Sequence, residues 1–465
     1  MISLEDLANR IAKWAVDLKF NRIPLEVVEE AKKRIVDTFG VALGAFNEKP
    51  PSIARWIAQS SASSRIPATV WGTKYMGPAD HVTFANGCAA RYFDFNDTYL
   101  SREALHPSDN IAPVIAAAEL AEADGSRVIE GIVAAYEVTA RLADAYSVRN
   151  RGWDHVVYIA IASAVGAGKV LDLDEERMTQ AINLAAVNAA ALRQTRAGEL
   201  SMWKGCAAAN AARNGLFAAL LAWRGMTGPA PIFSGEFGFF KVALGGESFD
   251  IPRMGGEEGE RYKLLQTSIK YWPVEYHAMS AVEAALKIRQ EAGALRPDDI
   301  ESVNVETFTV GYNIIVKDPE KWDPRTRETA DHSMPYIIAR ALLDGKIWLD
   351  SFRPEKYLAD DVRKVLNVMK VTISPEGDKI YPDGIRNSIT VKLKDGRTFT
   401  ETSIYPPGHF KNPLSKDGVE SKFKSLVGDS VPEQNVNVAL RTLWSFEKCS
   451  NVSLAVRLLA RGDQL

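Results

Sequence analysis

The sequence predicts a mainly α fold, in which a large all-helical domain carries a smaller, inserted α+β lid domain. Three observations favour this fold class. Apolar residues recur at helical spacing through the first half of the chain, a period of two appears only after about residue 265, and helical spacing returns after Pro413. A chain of 465 residues also exceeds the size at which one hydrophobic core stops growing. We therefore expect residues 1–265 and 404–465 to form the helical domain and residues 266–403 to form the lid.

The first part of the chain has helical patterning up to about residue 225. Pro24 stands where the first turn of a helix tolerates proline, and apolar residues follow it at helical spacing. Further helices are predicted over residues 111–121, 127–146, 156–171, 176–192 and 204–225. The last three are dense in Ala and Gly, and small residues let helix axes approach closely. We therefore expect a compact bundle.

The lid is predicted from alternating segments. Residues 301–308 and 387–393 alternate with a period of two, which indicates strands, and Asp395-Gly396 predicts a hairpin turn into a third strand over 397–402. Helical patterns over 277–292 and 335–344 are interleaved with these strands, so the segment is typical of an α+β domain. A cleft between two such domains is the expected place for a ligand.

The composition excludes several function classes. The net charge of −3 and the pI near 6.2 provide no basic field, so nucleic acid is not expected as a partner. Lys169 interrupts the longest apolar stretch before it could span a bilayer, so no membrane association is expected. Acidic residues stand near the N-terminus where a signal or transit peptide would carry Lys or Arg, which predicts a cytoplasmic protein.

The cysteines predict buried thiols. Cys88, Cys206 and Cys449 lie far apart and form no CxxC pair, so neither a disulfide framework nor a zinc site is indicated. An iron–sulfur cluster usually needs a closely spaced cysteine pair, which is also missing. The sequence contains no GxGxxG fingerprint, P-loop, HExxH motif or GxSxG elbow, so the commonest nucleotide, zinc and hydrolase interpretations are removed.

The first candidate segment, residues 91–110, holds acids, a hydroxyl and an imidazole just before an apolar helix that begins near Ile111. In one interpretation Ser108 or Asp109 caps that helix and His106 lies on the surface. In the other, His106 lies at a helix N-terminus whose backbone N–H groups help to bind a carboxylate. The spacing leaves both open.

Two further segments combine polar residues with apolar helices. Asp154 and His155 precede the helix at Val156, which fits either a histidine oriented for acid or base work or a capping Asp with a packed His. Lys204 begins a very apolar helix, and Arg193 and Arg196 precede it in a short loop. A buried ammonium is costly without an anion, so an anionic ligand is one interpretation, and a lysine that reaches the surface is the other.

The predicted domain boundary supplies more candidates. Lys270 and His277 lie where a cleft would form, although each could also be an ordinary exposed or capping residue. His332 precedes another apolar helix and is equally compatible with a plain N-terminal turn. None of these positions predicts a function when it is considered alone.

Taken together and in order, four motifs resemble the MmgE/PrpD family along essentially the whole chain. The run Asp-Phe-Asn-Asp-Thr-Tyr-Leu with His-Pro-Ser-Asp-Asn is the most specific. Arg-Gly-Trp-Asp-His-Val, Ala-Asp-His-Ser-Met-Pro-Tyr and Pro-Pro-Gly-His-Phe-Lys-Asn-Pro further resemble the 2-methylcitrate dehydratase branch. Many family members have an acid where this chain has Asn96, and that change looks like the same branch.

The resemblance implies a helical domain with a smaller α+β lid, a homodimer, and no metal or organic cofactor. The family's active-site positions correspond to Asp94, Thr98, His106, His155, Lys204, Lys270 and Tyr336. His277 and His332 are added as nearby candidates, and Arg193 and Arg196 join Thr98 as candidate substrate-binding residues.

The implied activity is removal of water from 2-methylcitrate, or from citrate, in propionate catabolism. We expect Lys204 and Lys270 to bind substrate carboxylates, and His106 and His155 to act as base and acid in an order that the sequence leaves open. Asp94 and Thr98 would hold the geometry, and Tyr336 would donate a hydrogen bond or proton from the lid. The alternatives are decarboxylation of cis-aconitate, epimerisation of a related polycarboxylate, and a non-catalytic helical binding protein.

Overall fold

The computed structural model describes residues 6–60 and 64–462. Residues 1–5, which hold part of the acidic N-terminus behind the expectation of a cytoplasmic protein, lie outside the described residues, as do residues 463–465 of the predicted C-terminal segment. Helices account for 59% of the structure and strands for 8%, so the prediction of a mainly α protein is confirmed. Within the described residues, no helix is long and apolar enough to cross a membrane.

Helices form most of the first part of the chain. They are α1 (Leu7–Asp17), α2 (Leu25–Gly44), α3 (Lys49–Gln59), α4 (Ala79–Tyr92), α5 (Ile111–Ala121), α6 (Gly125–Ala145), α7 (Val156–Val170), α8 (Glu175–Val187), α9 (Ala207–Trp223) and α10 (Phe239–Val242). A short antiparallel pair, β1 (Pro67–Thr69) and β2 (Met76–Pro78), lies between α3 and α4. Helix α8 ends at Val187, earlier than the pattern predicts, and leaves residues 188–206 as a loop with two short 3-10 turns.

Helix α7 is buried along its length and packs against α6 and α9. The approach to α9 depends on Gly215, because a Cβ there would lie 2.4 Å from the carbonyl oxygen of Ala160. The density of small residues in these helices therefore has the packing role that the sequence predicts. The resulting bundle core also includes side chains of the last helices, α18 (Lys416–Val427), α19 (Glu433–Trp444) and α20 (Val452–Arg457).

A second hydrophobic core extends from Trp272 to Leu393. Its helices are α11 (Met279–Ala292), α12 (Thr309–Ile315), α13 (Arg327–Ala330), α14 (Met334–Asp344), α15 (Pro354–Tyr357), α16 (Asp360–Leu366) and α17 (Pro375–Ile380). Its strands are β3 (Ile300–Thr307), β4 (Met369–Ile373), β5 (Asn387–Leu393) and β6 (Thr398–Ser403). They form one sheet in the order β4-β3-β5-β6, in which only β3 and β4 run parallel.

Candidate active site

A cavity of about 270 Å³ lies between side chains of the two cores. Its imidazoles belong to His106, His155, His277 and His332. Its cations are Arg91, Arg149, Arg193, Arg196, Lys317 and Lys321, and its carboxylates are Asp94, Glu103, Glu275 and Asp318. When the histidines are neutral, the lining therefore carries two more positive than negative charges, and this excess favours an anionic ligand. A larger surface cavity, of about 620 Å³ beside α1, holds no histidine and none of the residues that the sequence selects.

Asp94 forms the charged floor of the cavity. It follows α4 with a positive φ of 51°, a backbone conformation that is strained for a residue other than glycine. Its carboxylate is 1% exposed; one oxygen accepts a hydrogen bond from Arg91, and the other lies 2.6 Å from the Lys270 ammonium. Burial alone would raise the pKa of Asp94, but Arg91 and the nearby lysines hold that pKa well below its usual value.

Lys204 and Lys270, the two lysines selected from the sequence, both contact Asp94. The Nζ atom of Lys204 lies 3.3 Å from Asp94 Oδ1, and that of Lys270 also donates to the Asp94 carbonyl oxygen at 2.7 Å. Burial lowers the pKa of both groups, that of Lys204 to about 8. Neither lysine lines the cavity, and the ammonium groups of both lie against the Asp94 carboxylate, so the expected contact of Lys204 and Lys270 with substrate carboxylates has no support in this geometry.

His106 presents one bare ring nitrogen. Its Nδ1 atom lies 2.6 Å from the carbonyl oxygen of Asp97 and 3.3 Å from the hydroxyl of Thr98. Because a carbonyl oxygen only accepts, Nδ1 carries the hydrogen and Nε2 is free to accept a proton. Burial and the nearby charges of Arg91 and Lys270 hold the pKa of His106 well below its ordinary value, so the ring is neutral at neutral pH.

His155 lies opposite, immediately before α7. The centroids of the His106 and His155 rings are 5.9 Å apart. Nδ1 of His155 lies 3.1 Å from Oδ1 of Asp154, while its buried Nε2 has no hydrogen-bond partner among the described residues. Burial lowers the pKa of His155 to about 3, even though Asp154 acts in the opposite direction.

The loop after α8 brings two arginines to the same wall. Backbone bonds of 2.9 Å tie it to the segment before α7, one from Asp154 N to the Ala191 carbonyl and one from Arg193 N to the Gly152 carbonyl. Arg196 donates from Nε to Oδ2 of Asp154 at 3.1 Å. These contacts explain why Asp154 and Arg196, which are 42 positions apart along the chain, reach one site.

The second core contributes two carboxylate-bound imidazoles. Nδ1 of His277 lies 2.7 Å from Glu275, and Nδ1 of His332 lies 2.6 Å from Asp331. Burial and the neighbouring Lys204 lower the pKa of His332 to about 4. Both predicted histidines therefore line the cavity, and each is oriented by an acid that precedes it in the sequence.

Tyr336 does not reach the cavity. Its hydroxyl donates to the carbonyl oxygen of Ser351, and its ring packs on Phe352 inside the second core. Its position near the start of α14 turns the side chain inward, so the expected donation from Tyr336 to substrate has no geometric basis in this structure.

Several lining residues escape the sequence reasoning. No sequence motif singles out Arg149, yet its guanidinium binds Glu103 at 2.9 Å and 2.6 Å and faces the cavity. Lys317 and Lys321 stand in a polar segment that resembles an ordinary surface. Arg91 is the exception, because it stands three residues before the most specific motif, at the start of the candidate segment 91–110.

Asn96, which replaces the acid found in many family members, supports the loop between α4 and α5. Its side-chain amide donates to the hydroxyl of Ser108 at 3.0 Å and to Asp109 at 3.1 Å. Asp109 is buried, and burial raises its pKa to about 7. A carboxylate at position 96 would repel Asp109, so the amide is the compatible group here.

Lys422, on α18, links the floor of the cavity to the C-terminal part of the chain. Its buried ammonium donates to the carbonyl oxygens of Phe95 and Lys270, both at 2.8 Å, and pairs with Asp37 at 2.7 Å. One side chain thus fixes the loop that carries Asp94 and the segment that carries Lys270.

Cys88 and Cys206 are buried and Cys449 is partly exposed, and all three are free thiols. Residues 6–60 and 64–462 contain no cluster of three or more His, Cys, Asp or Glu placed to hold a metal ion.

The model of the MmgE/PrpD N-terminal domain matches residues 9–252, and that of the C-terminal domain matches residues 272–447. The chain belongs to the MmgE/PrpD family. It is 30% identical over 426 residues to the 2-methylcitrate dehydratase of Escherichia coli K12, covering 86% of this chain and 85% of that protein. It is 29% identical over 432 residues to the mitochondrial 2-methylcitrate dehydratase of Yarrowia lipolytica, with 87% and 80% covered. It is also 26% identical over 474 residues to the cis-aconitate decarboxylase of Mus musculus, with 98% and 94% covered.

The membership confirms the resemblance seen in the motifs. It also divides the cavity between the two MmgE/PrpD domains. Residues 91–200 of the lining belong to the N-terminal match and residues 275–332 to the C-terminal match. The cavity is therefore built by both family domains.

Proposed function

We propose that this protein is a cofactor-independent hydro-lyase that converts 2-methylcitrate to 2-methyl-cis-aconitate, and citrate to cis-aconitate. The observation that carries the proposal is a pair of imidazoles, each with a bare Nε2 atom, in a cavity with excess positive charge. The dehydratase relatives support the same reaction. We also propose that the enzyme acts in propionate catabolism and that it is located in the cytoplasm.

Substrate binding rests on the arginines and lysines of the lining. A tricarboxylate carries three negative charges, and cations from both domains face the cavity. Burial and the nearby Arg149 lower the pKa of Arg193, so the protein surroundings disfavour its charged form. An anion beside Arg193 would offset that cost, because paired charges tolerate burial better than isolated ones.

His106 is the base in this proposal. Its Nε2 atom takes the proton from the carbon beside a carboxylate, and the negative charge that develops on that carboxylate is stabilised by the surrounding guanidinium groups. Throughout the reaction Nδ1 keeps its hydrogen and donates it in a hydrogen bond to the Asp97 carbonyl oxygen, so the ring keeps its orientation.

His155 is the acid. His155 first takes up a proton at Nε2 from solvent. The carbon–oxygen bond then breaks as the carbon–carbon double bond forms, and the departing hydroxide takes that proton from Nε2 to leave as water. The proton that His106 has taken returns to solvent afterwards. Asp154 favours the protonated imidazole because an adjacent carboxylate stabilises positive charge on the ring. The ion pairs of Asp94 with Lys204 and Lys270 stabilise the base of the cavity beneath these groups.

The domain organisation forms part of the same proposal. Residues 266–403 act as an inserted α+β lid that brings His277, Lys317 and Lys321 over the substrate. Residues 1–265 and 404–465 form the helical domain. A homodimer is proposed as well, because Val187, Leu192, Phe237 and Val242 of the helical part are at least half exposed, and exposed apolar groups of this kind favour self-association.

Decarboxylation of cis-aconitate is the second candidate, because a decarboxylase relative spans 98% of this chain. Purified protein is incubated with 2-methylcitrate, with citrate and with cis-aconitate, each with and without a chelator. Absorbance from a new conjugated alkene supports dehydration, and release of carbon dioxide from cis-aconitate supports decarboxylation. Loss of turnover on chelation contradicts a metal-free reaction. Thermal stabilisation by these acids without turnover indicates a binding protein instead.

A further inference from the structure

Arg196 and His155 present two unpartnered buried atoms that are joined by one carboxylate. Arg196 uses Nε to bind Oδ2 of Asp154 at 3.1 Å, and its Nη2 atom is buried without a hydrogen-bond partner among the described residues. His155 lies 3.1 Å from the other oxygen of Asp154, and its Nε2 atom is likewise buried and unpartnered. Both side chains line the cavity.

Such atoms are expensive to leave unsatisfied. A buried N–H group without an acceptor costs about 1–3 kcal/mol, so native proteins rarely leave one unless a ligand or water satisfies it. The unpartnered guanidinium nitrogen of Arg196 therefore indicates a position for an oxygen of an anionic ligand. Asp154 is inaccessible to that ligand because its side chain is fully buried.

We propose that a substrate carboxylate binds Nη2 of Arg196 and, through Asp154, converts His155 to its protonated form, so that the acid is ready only when the cavity is occupied. This inference rests on the proposed function. Arg196 contacts the substrate and is a catalytic residue in this sense, whereas Asp154 acts through its neighbours and is a positioning residue.

The electrostatic reason lies in the charges that face His155. They come from one carboxylate, one imidazole and three guanidinium groups, which belong to Asp154, His106, Arg91, Arg149 and Arg196. Burial is the main cause that keeps the imidazole neutral, and the three guanidinium groups act in the same direction, against the opposing effect of Asp154. A substrate carboxylate on Arg196 offsets the charge of that arginine, and Asp154 then stabilises the imidazolium more effectively.

The test is an NMR titration of His155 with propane-1,2,3-tricarboxylate, which lacks the hydroxyl group that would leave. The chain has only six histidines, and the loss of one signal in His155→Gln assigns the resonance. In the unmodified protein we expect the midpoint of His155 to rise from the acidic range to near neutral pH when the tricarboxylate saturates the site, because only a rise of that size leaves the ring protonated at neutral pH. In Arg196→Gln the rise should disappear.

Arg193→Gln is the matched control. Arg193 lines the same cavity but makes no side-chain contact with Asp154 in the described structure. This variant should bind the tricarboxylate more weakly and still show the full rise at saturation. Arg196→Lys, which keeps the positive charge, should restore part of the rise.

We call the effect of the bound carboxylate on His155 through Asp154 the relay. The variant Asp154→Asn distinguishes this relay from a purely structural role of Asp154. The amide has nearly the same shape but no charge, so a structural residue would affect stability and leave the response of His155 to the ligand intact. The relay instead requires that the rise be lost while the tricarboxylate still binds, as measured by calorimetry. Binding without any rise in the unmodified protein, or a full rise in Arg196→Gln, overturns the relay alone. Failure of the tricarboxylate to bind overturns the relay and the proposed function together.

Discussion

The ring of His106 is fixed by the backbone of Asp97, because the 2.6 Å contact between Nδ1 and the carbonyl oxygen leaves Nε2 bare. The carboxylate of Asp97 is itself held by two donors, the backbone N–H of Ser108 at 2.9 Å and the hydroxyl of Tyr136 at 2.8 Å. The orientation of the proposed base thus depends on a buried network behind the cavity.

Replacing the base should remove most of the activity. In His106→Ala we expect kcat for dehydration to fall by about 10²–10⁴, because a positioned acid or base contributes a factor of this size. The affinity for propane-1,2,3-tricarboxylate should change little. Steady-state kinetics and calorimetry measure the two quantities, and a kcat close to that of the unmodified protein would remove His106 from the mechanism.

The Tyr136 hydroxyl should matter for both stability and turnover. Tyr136→Phe leaves one oxygen of buried Asp97 without its 2.8 Å donor, so we expect a loss of about 1–3 kcal/mol in the free energy of unfolding and a lower kcat. Tyr158→Phe is the control, since it removes another tyrosine hydroxyl bond, to the Tyr146 carbonyl, that does not involve Asp97. Urea unfolding and kinetics should show lost stability in both variants and lost turnover only in Tyr136→Phe.

The cluster beneath the cavity should depend on its single shared carboxylate. Asp94→Asn leaves the buried cations Arg91, Lys204 and Lys270 without that charge, and we expect a loss of about 3–5 kcal/mol in unfolding free energy. Adding Lys270→Met should restore part of the stability, since it removes one uncompensated cation. If the two substitutions are strictly additive in urea unfolding, the ion pair has no energetic coupling.

Activity should decline above pH 8 as Lys204 loses its proton. Burial lowers its folded-state pKa to about 8 from 10.5 in the unfolded chain, so between these values the unfolded chain binds more protons. The contribution of this group to stability therefore rises with pH over that window, while the cation that holds Asp94 is lost. In Lys204→Arg the decline in kcat/KM should move to higher pH. The same alkaline limb in both proteins would assign it to another group.

Replacing Lys204 also tests whether its contribution to the free energy of unfolding rises with pH. In Lys204→Met the difference in unfolding free energy from the unmodified protein should change between pH 8 and 10.5, with the unmodified protein gaining relative stability as pH rises. Urea unfolding at several pH values measures this difference. A constant difference over the window would mean that Lys204 does not titrate there.

Local patterns predict most of the helices. The apolar run over 111–121 becomes α5 with the same bounds, and the strand over 387–393 becomes β5. Strand β4 escapes prediction because its five residues are too few for a clear alternation and only its pairing with β3 makes it a strand. Helix α8 stops at Val187, and the loop after it is held by bonds to residues distant in the sequence, such as the bond from Asp154 N to the Ala191 carbonyl.

The site is only partly predictable from the sequence, because the sequence does not fix the direction in which each side chain points. The resemblance to the family selects His106 and His155, which line the cavity with the added candidates His277 and His332, but it also selects Tyr336, which turns into the second core. A sequence position does not report which way a side chain points. Arg149 and Lys317 approach the cavity through tertiary packing, and nothing in their neighbours along the chain distinguishes them from surface cations.

The three contacts of Lys422 have a consequence for synthesis of the protein. The loop that bears Asp94 emerges from the ribosome early, but the side chain that fixes it to the segment of Lys270 follows more than three hundred residues later. A nascent chain can therefore form helices α1–α10 before Lys422 joins the loop of Asp94 to the segment of Lys270. Catalytic competence should appear abruptly near the end of translation, and prematurely terminated chains should be inert.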